Sequence, residues 1–237
     1  MELKGIGAVV TGGSRGLGRA LARELAAAGA RVLLTARGEA ELARAVDEIR
    51  AAGGDAHGFP ADVSDKLATH AVAAAAASLV GPAGLLVNNA STLGTDRLAL
   101  LLDTPCEAIE RALAVNVVGP FRLIKAVAGG MALRRQGLVV NVTSDAGLNA
   151  YPRWGAYGLS KAAFEHLSRT LAVELAGSGV AVTCVDPGDM DTQMHRDAVP
   201  DADPATLLRP EAVARELVQR IRAPGPLPAR FQLWESP

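Results

Sequence analysis

The sequence predicts an α/β protein with a doubly wound parallel sheet, forming a single domain over residues 1–237. Three observations predict it. Short apolar runs alternate with longer stretches of helical periodicity from one end of the chain to the other. The runs are apolar along their whole length, as strands buried on both faces must be. No linker, repeat or low-complexity segment interrupts the alternation before about residue 195. Right-handed crossovers then place helices on both faces of one sheet.

The elements follow in order. "IGAVVT" (6–11) reads as the first strand and "GRALARELAAAG" as the helix after it. "RVLLT" (31–35) is the second strand; in the next segment, "EAELARAVDEIRAAG", Leu42, Val46 and Ile49 recur at helical spacing. "AHGFPADV" carries the third strand, and "AVAAAAASLV" (71–80) is an alanine-rich helix closed by Gly81 and Pro82. "GLLVNNA" (84–90), a helical region around 106–134, "GLVVNVTS" (137–144), a helix holding "YGLSK" (157–161) and "VAVTCVDPG" (180–188) come next. A helix from Pro210 and a last strand candidate, "RFQLW", complete the pattern.

Composition excludes several function classes. Hydrophobic residues make up 49% and charged residues 21%, with a formal net charge of -1, so disorder and a strongly basic nucleic-acid binder both fit poorly. No export signal or membrane span is expected, and the two cysteines, Cys106 and Cys184, are too few for a disulfide framework or a four-cysteine zinc site. They read as packing residues of a cytoplasmic protein.

Directly after the first strand stands "TGGSRGLG", with Gly12, Gly16 and Gly18 leading into a helix. Glycines at such a turn permit positive φ and let the backbone approach a pyrophosphate, which then meets the helix's free N–H groups. The spacing is G-x-x-x-G-x-G rather than the G-x-G-x-x-G of the common Rossmann fingerprint. In a Rossmann fold that binds NAD, an acidic residue at the end of the second strand holds the adenosine ribose. Here "TAR" places Ala36 in that position with Arg37 beside it, while Arg15 lies in the glycine loop. Two guanidiniums suit the 2′-phosphate of NADP, so NADP(H) is favoured over NAD(H) as the cofactor.

Ligands in this architecture sit beyond the carboxyl ends of the strands. Three of the five asparagines, Asn88, Asn89 and Asn141, fall where apolar runs end or are ending. Capping or turn duty accounts for Asn141. Ser144 stands at the mouth of the expected site. Tyr157 and Lys161, drawn from only two tyrosines and four lysines, share one helical face at i, i+4. An ammonium there favours phenolate and would lower the phenol's pKa from its ordinary value, so that Tyr157 works as an acid or base.

Together these residues resemble the short-chain dehydrogenases/reductases. The glycine loop, "DV" at Asp62 and Val63, "NNA" at 88–90, Asn116 in "VNVVG", Ser144 in "NVTS", "YGLSK", and Pro187 and Gly188 followed by Thr192 occur in that family's order, from about residue 5 to 193. The resemblance implies a catalytic set of Asn116, Ser144, Tyr157 and Lys161. Tyr157 would be the general acid or base, Ser144 a donor to the substrate oxygen and Lys161 a ribose ligand; Asn116 would hold a relay water. It implies cofactor contacts from Gly12, Ser14, Arg15, Gly16, Leu17, Gly18, Arg37, Asp62, Val63, Asn88, Ala90, Tyr157, Lys161, Pro187, Gly188, Met190 and Thr192, with no metal. A substrate lid is expected at about 189–209. Ser91 departs from the glycine usual after "NNA", and Asp189 from an apolar or aromatic residue. His57, His70, His166 and His195 lack metal-ligand spacing. His195 begins the segment "HRDAVPDADPATLL" expected over the substrate.

The expected activity is NADP(H)-dependent interconversion of a carbonyl and an alcohol on a small-molecule substrate, in a homodimer or homotetramer assembled through the helices around 107–134 and 155–176. A dinucleotide-binding sensor with the same fold is the alternative, and a nucleotide-sugar epimerase or dehydratase would need more chain after Thr192.

Overall fold

A computed structural model describes residues 1–234; the last three residues of the expected domain lie outside the described ones. Seven parallel strands form one sheet in the order β3-β2-β1-β4-β5-β6-β7: β1 (Gly7–Thr11), β2 (Arg31–Ala36), β3 (Asp55–Pro60), β4 (Ala83–Asn88), β5 (Gly137–Val142), β6 (Val180–Asp186) and β7 (Arg230–Gln232). The connecting helices are α1 (Gly16–Ala27), α2 (Glu39–Ala51), α3 (Lys66–Leu79), α4 (Cys106–Leu113), α5 (Gly119–Leu133), α6 (Gly155–Glu174), α7 (Gln193–Ala198) and α8 (Pro210–Arg222). The doubly wound parallel sheet expected from the sequence is therefore present.

The packing explains why the strands read as continuous apolar runs. Along β1, Ala8 and Val10 enter the core under α1, α2 and α8, while Val9 enters the core on the opposite face, under α3 and α5. The same alternation holds in β2, where Val32 and Leu34 face one core and Leu33 the other, and in β5, where Leu138 and Val140 oppose Val139. With both faces covered, most side chains along these strands must be apolar. The edge strand β3 is only partly buried and ends at Pro60, whose missing N–H an edge tolerates.

The chain winds outward through β1, β2 and β3, then crosses back along α3 to lay β4 beside β1. That reversal opens a crevice at the carboxyl ends of β1 and β4. The helical region expected at 106–134 runs as α4, a π-helical stretch at Ala114–Val118, and α5. By length and composition Cys106–Leu133 is apolar enough to cross a membrane. In the fold it packs against α3 and the sheet, burying Leu123, Ile124 and Met131. Cys184 is buried as expected, but Cys106, opening α4, is exposed.

Candidate active site

The glycine loop is built by close approach. Gly12 has φ +65°, and a Cβ there would lie 2.8 Å from the Asn89 side-chain nitrogen. A Cβ on Gly18 would fall 2.2 Å from the Gly12 carbonyl oxygen, so only glycine lets α1 start against the loop. Thr11 fastens this loop to the end of β4: its Oγ1 accepts from the N–H groups of Asn89 and Ala90, both at 3.0 Å, while Asn89 Nδ2 donates to the Thr11 carbonyl at 2.9 Å. Asn89, absent from the expected cofactor contacts, is thus the side chain that ties the two halves of the crevice together. Gly16 opens α1 facing Thr192, and no side chain caps the N–H groups of that helix. Leu17 lies in the core, so only its main chain is available at the loop.

Beside the loop, Ser14, Arg15, Arg19, Glu41, Arg44, Ala45 and Glu48 line a depression of about 210 Å³. Arg37, exposed at the end of β2, is not among the lining residues, and Arg19 and Arg44 bring guanidiniums the sequence reading did not single out. Asp62 accepts from the Ser64 N–H at 2.8 Å and its hydroxyl at 2.7 Å, shaping the turn after β3. Val63 is buried, and its carbonyl presses where a Cβ on Gly119 would be.

Asn141 corrects the sequence reading. Asn88 Nδ2 donates to Asn141 Oδ1, and Asn141 Nδ2 donates to Ser168 Oγ, each at 2.8 Å. Both side chains are buried, so Asn141 is an internal cross-link between strands rather than a cap. Asn88 can meet a ligand only through its main chain.

Asn116 lies in the π-helical stretch, fully buried. Its Oδ1 accepts from the Thr92 N–H at 2.9 Å and Ser91 Oγ at 3.2 Å; its Nδ2 donates to the Thr92 carbonyl at 2.9 Å and Ser160 Oγ at 2.8 Å. The amide is therefore committed to holding α6 against the loop after β4. The main-chain carbonyl is left free of its α-helical donor, because the residue four positions on is Pro120, which has no N–H. Ser91 joins this network without positive φ, which explains how a serine is accommodated there.

Tyr157 and Lys161 emerge from the first half of α6. The phenol clusters with Leu93 and Ala146 and stands edge-on to Trp154 at 5.7 Å, and Met194 and Ala198 of α7 pack against this cluster. Burial pushes its pKa above the ordinary range; the hydroxyls of Ser144 and Ser91 pull it down, and the charges of Asp186 and Asp145 push it up. The net shift is upward, opposite to the one expected from the Lys161 spacing, because desolvation is the largest influence on the phenol. Lys161 is itself buried, lowered by desolvation to about 8 against the supporting charges of Cys184, Asp186 and Glu165. Its Nζ donates to the Val142 carbonyl at 2.9 Å.

Behind these side chains lies a buried ionic group. Arg230 Nε donates to Glu165 Oε1 at 3.0 Å and Nη2 to Asp186 Oδ2 at 3.1 Å, while Thr143 Oγ1 donates to Glu165 Oε1 at 2.8 Å. The end of β5, the helix of Lys161, the turn into Pro187–Gly188 and the last strand are thereby joined. Gly188 has φ +73° and donates its N–H to Asp186 Oδ1 at 3.1 Å. Met190 pairs with Leu208, closing the base of the segment over the site, and Thr192 caps α7 by accepting from the His195 N–H at 3.2 Å. Asp189 is exposed, with His195 Nε2 at 3.8 Å. His57, His70 and His166 lie away from this crevice: His57 pairs with Asp55 on β3, and the other two are exposed.

A family model described as short chain dehydrogenase matches residues 7–203. A short chain dehydrogenase of Pseudocercospora fijiensis is 38% identical over 196 residues, 81% of this chain but 62% of that relative, so the chain spans less than two thirds of its length. Among solved structures, an actinorhodin polyketide ketoreductase with NADPH superposes at a TM-score of 0.86 and 31% identity, covering 95% of this chain and 94% of that one. An NAD+-bound xylitol dehydrogenase gives a TM-score of 0.76 at 32% identity, over 80% and 72% of the two chains.

Proposed function

Since the chain belongs to the short-chain dehydrogenase family, we propose that it is an NADP(H)-dependent oxidoreductase that interconverts a ketone or aldehyde and the corresponding alcohol. One observation carries the reading: a buried phenol, Tyr157, stands with Ser144 beside it and Lys161 one turn on, at the same sheet end as a glycine cradle in which Gly12 and Gly18 leave no room for a Cβ. The cradle suits a pyrophosphate, because the backbone of Gly12 to Gly18 and the uncapped start of α1 offer N–H groups to a close anion. Asp62, Val63, Asn88 and Ala90 serve the adenosine end through main chain or carboxylate; Pro187, Gly188, Met190 and Thr192 serve the nicotinamide end.

The bound dinucleotide supplies or accepts the hydride. In reduction, Tyr157 gives its proton to the carbonyl oxygen as negative charge gathers there; in oxidation, its phenolate takes the proton back. Ser144 donates to the same oxygen, a preorganised partner for the developing charge. Lys161 holds the ribose and offsets the charge left on the phenolate, and the main-chain carbonyl of Asn116 holds the water through which Lys161 regains its proton. A phenol held protonated by burial is in the form that reduction uses. The segment 189–209 acts as the substrate lid, a reading supported by the packing of α7 against the cluster that contains Tyr157.

NADP(H) is preferred over NAD(H) because Ala36 offers no carboxylate at the end of β2, while Arg15, Arg37 and Arg44 supply cations around the adenosine end. The cofactors of the structural neighbours, NADPH in one and NAD+ in the other, are compatible with either choice. Assembly of two or four copies through α5 and α6 is supported by the exposed apolar residues Phe121, Leu159 and Val173 on those helices and Val118 just before α5.

The test is to mix the protein with NADPH or NADH and a panel of ketones, aldehydes and β-ketoacyl thioesters, following cofactor oxidation. Turnover with NADPH is expected. Cofactor binding without oxidation across the panel favours the sensor instead.

A further inference from the structure

Asp145 follows Ser144 at the carboxyl end of β5 and opens a single 3-10 turn, Asp145–Gly147. Its two oxygens hold two hydroxyls. Ser144 Oγ donates to Oδ1 at 3.0 Å, and Tyr151 Oη donates to Oδ2 at 2.5 Å. Ser144 Oγ also accepts from the Ala146 N–H at 3.2 Å and neighbours the Tyr157 phenol. Both tyrosines of the chain are therefore linked by one polar run, Tyr151 to Asp145 to Ser144 to Tyr157, leading from a half-exposed phenol to a buried one.

A hydroxyl has one proton to give, and an ionised carboxylate can only accept. Without substrate the Ser144 proton rests on Asp145; when a carbonyl enters, the hydroxyl turns that proton to the carbonyl oxygen, and the carboxylate keeps its negative charge in the same polar run as the Tyr157 phenol. Resting on the oxidoreductase reading, we propose that Asp145 is a positioning residue: it holds the Ser144 hydroxyl in place until a carbonyl arrives and, by its charge, biases Tyr157 toward the protonated form that reduction needs, with Tyr151 tempering that charge.

The other charged and titratable groups around Tyr157 come from every neighbouring element. Lys161 lies on the same helix, Asp186 at the end of β6, and Asp189 with His195 on the segment over the site. Among these carboxylates, Asp145 alone is bonded to Ser144. Tyr151 is raised by its bond to Asp145 and by the Asp145 charge, as expected for a phenol donating to an ionised neighbour.

The experiment compares pH profiles of kcat in both directions for the parent protein, Asp145→Asn and Tyr151→Phe, using a substrate that the parent turns over. Reduction is lost as pH rises through the Tyr157 pKa, and oxidation is gained there. Removing a nearby negative charge lowers that pKa, so Asp145→Asn is expected to move both limbs to lower pH. At the parent's optimum kcat should fall about ten-fold, the scale of one charge-assisted hydrogen bond, with KM for NADPH unchanged. Tyr151→Phe removes the donor that tempers Asp145 and is expected to move both limbs to higher pH. Profiles that superimpose after scaling, or that shift the same way in both variants, overturn the proposal. A parent without turnover sinks the oxidoreductase reading; Asp145 is then judged by the near-ultraviolet absorbance of phenolate. In a Tyr151→Phe background only Tyr157 titrates, and adding Asp145→Asn must lower its transition, coincident curves counting against the proposal.

Discussion

Lys161 Nζ stands 5.4 Å from the centre of the Tyr157 ring while giving its hydrogen bond to the Val142 carbonyl at 2.9 Å. The two side chains share a helical face, as their spacing requires, yet the ammonium is anchored to the end of β5 rather than to the phenol. Both groups are buried, and desolvation drives each toward its neutral form: Tyr157 up, Lys161 down to about 8. Burial therefore keeps the proton on the phenol.

Tyr157→Phe keeps the ring against Trp154 and removes only the proton donor. Loss of a positioned acid is expected to reduce kcat by about 10² to 10⁴-fold, with NADPH affinity within a few-fold of the parent by fluorescence titration. Unchanged turnover would exclude Tyr157 from the chemistry.

Lys161 also sets a pH dependence of stability. Its folded pKa is about 8 against an ordinary 10.5, so between those values the unfolded chain binds more protons and the parent gains stability as pH rises. Lys161→Met has no such slope. The gap between the two proteins in urea unfolding is expected to shift in the parent's favour by about 3 kcal/mol from neutral to strongly alkaline pH. Parallel stability curves would show that the buried amine keeps its ordinary pKa.

Much of this was legible in the sequence because it depends on local pattern. Strands buried on both faces must be apolar throughout, so β1, β2, β4 and β5 declare themselves, and the glycine loop is fixed by a strand, a turn and a helix in succession. What escaped depends on which distant side chains meet. Glu165 reads as an ordinary charge on an amphipathic helix, and only folding brings Arg230, from the last strand, against it. Asn141 looks like a cap because asparagine usually caps; its burial between Asn88 and Ser168 is a property of the sheet. The direction of the Tyr157 shift escaped for the same reason, since spacing reveals the neighbouring charge but not the loss of water.

Arg230 compensates two buried carboxylates, and Arg230→Met leaves both without their cation. Breaking a buried ion pair by removing one partner costs about 3–5 kcal/mol. Burial already raises the Asp186 carboxyl; a raised folded pKa means stability present at low pH and lost as pH rises. The destabilisation should therefore be smaller at mildly acidic pH than at neutral pH. Denaturant melts across that range check it, and a pH-independent cost would contradict the assignment.

Gly18→Ala forces a Cβ to within 2.2 Å of the Gly12 carbonyl oxygen, and neither backbone can yield without moving the loop. Weaker NADPH binding and a lower Tm are both expected. Gly130→Ala, on α5 with only the tip of Arg134 nearby at 3.2 Å, serves as the tolerant control. Equal NADPH affinity in Gly18→Ala and the parent would mean that the loop does not carry the pyrophosphate.

The arginines around the adenosine end separate the two cofactors. Arg15 lines the depression beside the glycine loop together with Arg19 and Arg44, and Arg37 is exposed at the end of β2. A 2′-phosphate gains charge-assisted bonds from these cations that a 2′-hydroxyl does not, each worth about 1.5–3 kcal/mol. Arg15→Ala combined with Arg37→Ala is thus expected to weaken NADPH binding by about 10²-fold or more, leave NADH binding nearly unchanged, and flatten the salt dependence of NADPH affinity. Arg44→Ala tests the alternative wall of the depression: if it alone abolishes the preference while the double variant does not, the phosphate sits on α2 rather than at the end of β2. Equal losses for NADPH and NADH in every variant would remove the basis for assigning NADP(H).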